Sequence, residues 1–160
     1  MKASVLRTSI LALGLAALPA ILSAQDNNMT GVWDVSVTVK NCQTGALIRT
    51  VRSLQMFLRD GSFTETANTA SRGISVGTWT HAEGQTYQAS YSFFRYNADG
   101  TFAGVAKSAD TINLSNNAAA FSASGTIQDY DANNVLISKA CFTHAVNRQP
   151  DSSPPLPQSK

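Results

Sequence analysis

Between Gly31 and Arg148 apolar and polar residues alternate with a period of two, and Gly, Asn and Asp interrupt the alternation at regular intervals. No apolar stripe at helical spacing runs for ten residues or more. This pattern predicts strands over Val32–Lys40, Ile48–Leu58, Ser62–Ala67, Ile74–His81, Thr86–Tyr96, Thr101–Leu114, Ala118–Tyr130 and Val135–Asn147. The intervening turns are Asp60-Gly61, Asn97-Ala98-Asp99-Gly100, Asn116-Asn117, Asp131-Ala132-Asn133-Asn134 and a weaker Glu83-Gly84. Gly, Asn and Asp tolerate the positive φ that tight hairpins demand. Links this short make successive strands antiparallel neighbours.

The faces of these strands test whether the meander closes. Placing Cys42 opposite Cys141 pairs the first strand with the last, so that Val37 meets Val146, Val39 meets His144 and Val35 meets Arg148. The Asp131–Asn134 turn sets His144 opposite Phe121 and Phe142 opposite Ala123, and Asn116-Asn117 sets Phe121 opposite Ile112 and Ala119 opposite Leu114. Slipping any strand by one residue turns all its side chains over, so agreement among three hairpins on one inward set carries information. The expectation is an all-β, antiparallel, eight-stranded, up-and-down closed barrel. One strand resists: counting back from Glu83-Gly84 turns Ile74 and Val76 inward and Trp79 outward, whereas a bulge or a three-residue turn reverses it.

The ends read differently. Residues 1–24 have a secretory-signal pattern: Lys2 and Arg7, an apolar run from Ile10 to Leu18, then Ser23 and Ala24 before Gln25. The run is short for a membrane span, so no span is expected after cleavage. The bacterial character of this signal predicts a periplasmic or secreted protein. Residues 149–160 hold four of the five prolines without periodicity and read as a disordered Pro-rich tail, leaving a single barrel domain over residues 25–148. In an oxidising compartment Cys42 and Cys141, the only two cysteines, predict a disulfide. Without Lys2 and Arg7, ten basic residues balance ten acidic ones, which argues against nucleic acid as a partner.

The run Thr30-Gly31-Val32-Trp33 opening the first strand resembles the G-x-W signature of lipocalins and other calycin barrels. In that family the Trp plugs the barrel bottom and a basic residue beyond the last strand packs across it. The resemblance therefore implies this role for Trp33 and Arg148. Gly77-Thr78-Trp79 followed by Asp99-Gly100-Thr101-Phe102 echoes Gly31-Val32-Trp33 followed by Asp60-Gly61-Ser62-Phe63, a partial repetition similar to that of short bacterial lipocalin-like domains.

The inward positions predicted are Trp33, Met56, Tyr87, Tyr91, Phe93, Phe102, Phe121 and Phe142, interleaved with Gly104, Ala106, Ala89, Ala119, Ala123 and Gly125. Aromatics among small residues either line an apolar cavity or fill a solid core. Glu65, Arg95, Asp110 and His144 share the inward parity. Glu65 and Arg95 suit either a ligand or a solvated rim. A neutral His144 beside Asp110 suits a structural hydrogen bond, a polar ligand head group or haem iron. With only His81 and His144 as histidines, and no nucleophile-elbow, zinc-protease or phosphate-loop motif, catalysis, a metal and an obligatory cofactor are not expected.

The leading expectation is an exported, monomeric, non-catalytic barrel binding a small apolar or amphipathic ligand. Its cavity lining would comprise Trp33, Met56, Glu65, Tyr87, Tyr91, Phe93, Arg95, Asp110, Phe121 and His144. The rivals are a solid-cored envelope or surface interaction protein, and an isomerase barrel resembling allene oxide cyclases that works through a buried Glu65 or Asp110.

Overall fold

The computed structural model describes residues 29–148. The signal-like segment 1–24 and the Pro-rich tail 149–160 lie outside the described residues. Eight strands follow in order: β1 (Gly31–Lys40), β2 (Leu47–Phe57), β3 (Ser62–Ala67), β4 (Ser75–Glu83), β5 (Thr86–Tyr96), β6 (Phe102–Leu114), β7 (Ala120–Tyr130) and β8 (Leu136–Arg148). Each pairs antiparallel with its chain neighbour, and β1 with β8, closing the barrel. This is the predicted fold. Closure leaves no sheet edge open.

Turn chemistry explains where the registers depart from expectation. Leu58-Arg59-Asp60-Gly61-Ser62 and Asn97-Ala98-Asp99-Gly100-Thr101 adopt the same hairpin. In each, the first residue's amide donates to the fifth residue's carbonyl, and the glycine amide donates back to the first. The glycines take φ of 87° and 81°, the left-handed residue that closes a three-residue loop. A three-residue loop where two were expected slips β2 against β3 by one position. Met56 therefore meets Thr64, not Glu65, and faces outward, while Gln55 pairs with Glu65 inside.

A bulge between Arg95 and Tyr96, opposite Gly104, similarly turns Phe102 outward, where it packs edge-on against Phe94. Gly104 has φ of 132°, and a Cβ there would stand 2.0 Å from the Tyr130 carbonyl oxygen. Ala119 sits exposed in the β6–β7 turn.

Other departures preserve the faces because they are even. At the β7–β8 hairpin a three-residue loop with Asn134 at φ 62° and a bulge at Asp129/Tyr130 add up to a two-residue shift. His144 thus pairs with Ala123, and Phe142 with Gly125. The longer β6–β7 turn likewise pairs Phe121 with Leu114 and Ala123 with Ile112. At the seam, Val35 pairs with Val146, Val37 with His144, Val39 with Phe142 and Trp33 with Arg148. Cys42 lies beyond the end of β1, so its bond to Cys141 forms without direct strand pairing, Cα to Cα 5.0 Å. A bulge between His81 and Glu83 resolves the remaining strand: Trp79 is inside, and Ile74 and Val76 are exposed.

Candidate functional site

The interior is apolar at one end and polar at the other. At the end carrying the N-terminus of β1, Trp33, Phe57, Phe63, Trp79 and Phe121 form a continuous core with Met29 and Leu114. Ring pairs Trp33–Phe121, Phe57–Phe63 and Phe57–Trp79 meet edge to face at centroid separations of 5.0, 5.0 and 5.9 Å, the arrangement that ring quadrupoles favour. Each indole satisfies its N–H on a backbone carbonyl: Trp33 Nε1 donates to Met29 O at 3.0 Å and Trp79 Nε1 to Leu58 O at 2.9 Å. Trp33 thus fills the barrel bottom. The Arg148 backbone pairs with Trp33, while the side-chain role proposed for Arg148 lies outside the described residues.

The opposite end opens into a cavity of about 130 Å³. One wall is apolar, from Val37 and Val39 on β1, Val51 on β2, Ile127 on β7 and Phe142 on β8. Across from it stand Ser71 and Arg72 of the β3–β4 loop with Arg95 and Tyr96 at the end of β5. Glu65, Tyr91 and Ser108 reach the cavity from deeper positions, and Arg49 and Asp129 complete the lining.

Arg72 is the centre of this arrangement. Its guanidinium lies 3.6 Å above the Phe93 ring and reaches Glu65 Oε2 at 2.5 Å. Ser75 accepts a hydrogen bond from Arg72 and donates one to Glu65 Oε2 at 2.7 Å, while Gln55 Nε2 donates to Oε1 at 3.4 Å. Burial alone would push the Glu65 carboxyl up. The Arg72 charge and hydrogen bonding from Ser75, Ser53 and Arg72 together outweigh it and hold the group below its ordinary value. Glu65 is therefore an ionised, paired carboxylate. Arg95 stands 3.4 Å from Asp129, whereas Arg49, opposite Val39, forms no ion pair with any described residue.

A second polar pair sits deeper. Ala123 and Gly125 on β7 are too small to fill the interior, and over them Asp110 of β6 and His144 of β8 approach to 3.8 Å. Burial, reinforced by the Glu65 charge, pushes Asp110 up to about 7, and burial pushes His144 down to about 4. Between those values the contact joins an uncharged acid to an uncharged imidazole. No described group hydrogen-bonds Asp110 Oδ1 or either His144 ring nitrogen, and His144 stacks on Phe142 at 4.9 Å.

The structure thus divides the residues singled out from sequence. Glu65, Tyr91, Phe93 and Arg95 line the cavity. Trp33, Tyr87 and Phe121 belong to the apolar core, Asp110 and His144 lie inside but off the cavity lining, and Met56 is on the outer face. Arg72, Arg49, Ser75 and Gln55 were not anticipated. Arg72 lies in a loop without periodicity, while Gln55 turns inward only because the β2–β3 loop has three residues, a feature signalled by its Asp-Gly-Ser sequence, which matches Asp-Gly-Thr at residues 99–101. Among the described residues no three His, Cys, Asp or Glu side chains gather to hold a metal ion.

The eight-stranded closed antiparallel barrel is consistent with a calycin-like fold. No protein family, curated protein or solved structure matches this chain. The disulfide is consistent with a location outside the cytoplasm.

Proposed function

We propose that this protein is an exported, monomeric, lipocalin-like barrel that holds one small amphipathic molecule in its open end and performs no chemistry. The observation that carries this reading is the cavity's mixed lining: aliphatic and aromatic surface from Val37, Val39, Val51, Ile127, Phe93 and Phe142 beside the charged and hydrogen-bonding groups of Arg49, Glu65, Arg72, Arg95 and Asp129. Its volume of about 130 Å³ limits the guest. Engineered apolar cavities of about 150 Å³ accept benzene, and sites for drug-sized ligands start at roughly 300 Å³. The body of the ligand is then one ring or a short branched chain, with any remainder beyond the rim. Binding follows from burying that body against Val37, Val39 and Phe142 while a polar end stays at the mouth.

Titration of ¹⁵N-labelled protein with single-ring alcohols, amides and acids tests the reading. Saturable shifts confined to Val37, Val39, Phe93 and Ile127 are expected. Absence of saturable shifts with the whole panel would favour the solid-cored surface protein instead. The isomerase alternative draws support from Asp110, a buried acid pushed to about 7 beside His144. It requires the ligand to reach Asp110, which does not line the cavity. Shifts at Asp110 and Ala123 would favour it.

A further inference from the structure

We infer that the mouth selects a small aryl monocarboxylate carrying a hydrogen-bond donor at the end away from its carboxylate. This rests on the ligand-binding reading above and deepens it. Three cations face the cavity, and two already have partners: Arg72 is bound to Glu65, and Arg95 stands 3.4 Å from Asp129. Arg49 pairs with Val39 across the strands and lines the same cavity, but no described carboxylate is within ion-pair distance of it. An anion at the rim therefore meets an available guanidinium without first breaking an ion pair. Guanidinium and carboxylate match in a bidentate geometry that a neutral amide cannot reproduce.

The opposite end of the guest meets different chemistry. Glu65 is buried and ionised, and Tyr91 and Ser108 lie beside it. A second anionic group pushed toward Glu65 would lose its water beside a carboxylate whose cation, Arg72, is already engaged, and so would gain no free partner. A hydroxyl there can donate to this acceptor-rich surface. Between the two ends Val37, Val39, Ile127, Phe93 and Phe142 surround a space of single-ring size. The site thus runs from an available cation at the rim, through an apolar body, to a paired, acceptor-rich carboxylate at depth.

The test is calorimetric titration of the intact disulfide-bonded protein with four compounds: 4-hydroxyphenylacetate, phenylacetate, 2-phenylacetamide and 4-carboxyphenylacetate. The hydroxy acid should bind tightest. The amide should bind about five- to tenfold more weakly than phenylacetate, consistent with a partly exposed charge-assisted contact, and added salt should narrow that gap. The dianion should bind weakest. Arg49→Gln should abolish the preference for phenylacetate over its amide, while Arg59→Gln, in the β2–β3 turn at the opposite end, should leave it unchanged. Both arginines are exposed, so unchanged thermal transitions will show that the variants fold. Equal binding of acid and amide, or a preference that survives Arg49→Gln, overturns this inference and leaves the mouth as a binding site. No binding by any of the four overturns the underlying reading too.

Discussion

The two ends of this barrel are built on opposite physical terms. The closed end is held by packing: Phe57, 1% exposed, touches Phe63, Trp79 and Phe121, and both indoles bond to main-chain carbonyls. The open end is held by a covalent link and by charge. Cys42 and Cys141 fasten the β1–β2 loop to β8, and Arg72 is clamped between Phe93, Ser75 and Glu65. Apolar rings gain from contact wherever they meet. A buried carboxylate is tolerated only while its partners stay in place. One end is therefore stabilised by packing, and the other by a cross-link and paired charges that surround a space for a guest.

Removing the disulfide is the strongest challenge to the open end. The bond closes a separation of 99 residues, for which chain-entropy reasoning gives about 4–5 kcal/mol. Cys42→Ser with Cys141→Ser should lower unfolding stability by up to that amount, as read from urea midpoints. Phe57→Ala attacks the closed end and should cost about 3–5 kcal/mol, because the surrounding rings cannot collapse into the space. A loss below about 1 kcal/mol would contradict the division of labour drawn here.

Glu65→Gln should cost about 3 kcal/mol by stranding the buried Arg72 charge. It should also perturb the amide signals of Ser75 and Phe93, whereas Phe57→Ala should leave those signals in place.

The Asp110–His144 pair predicts a pH signature. Asp110 sits at about 7 when folded against an ordinary 3.8, so the folded state binds more protons, and this contribution is lost as pH rises from about 4 through 7. His144 sits at about 4 against an ordinary 6.5, so its contribution is present above 6.5 and is lost as pH falls toward 4. The two slopes oppose each other over most of that range, and the intact protein should show a nearly flat stability profile from pH 4.5 to 6.5. Asp110→Asn should expose a rise with pH and His144→Gln a fall, each spanning about 2–3 kcal/mol in midpoint titrations. Arg95→Gln should change least, by under about 1 kcal/mol, since its contact with Asp129 is partly exposed.

Gly31-Val32-Trp33 and Gly77-Thr78-Trp79 look alike in sequence, and both tryptophans do lie in the closed-end core. The likeness then breaks: Phe63 is buried, whereas Phe102 is 47% exposed because the bulge opposite Gly104 intervenes. The alternation of apolar residues made the strands, their order and most of the inward set legible. Asp110 and His144 were recognisable as interior polar groups from parity alone, whereas Glu65 lies inside opposite Gln55 and not opposite Met56, the pairing that a two-residue turn predicts. Met56 and Phe102 were misplaced because a one-residue change in a turn or bulge inverts a face while leaving the local alternation untouched.

By itself the sequence determined an eight-stranded antiparallel barrel, the pairing of its first and last strands and its disulfide, since these follow from a period of two, short links and two cysteines. Tertiary structure alone decided that Arg72 enters the interior from an aperiodic loop and that Arg49 stands at the rim without an ion-pair partner among the described residues. It also decided that Asp110 and His144 meet over Ala123 and Gly125. Those facts depend on distances between residues far apart in the chain, set by even and odd register shifts that accumulate around the barrel. Periodicity within a strand reports which face a side chain occupies, and only closure of the sheet fixes what it meets there.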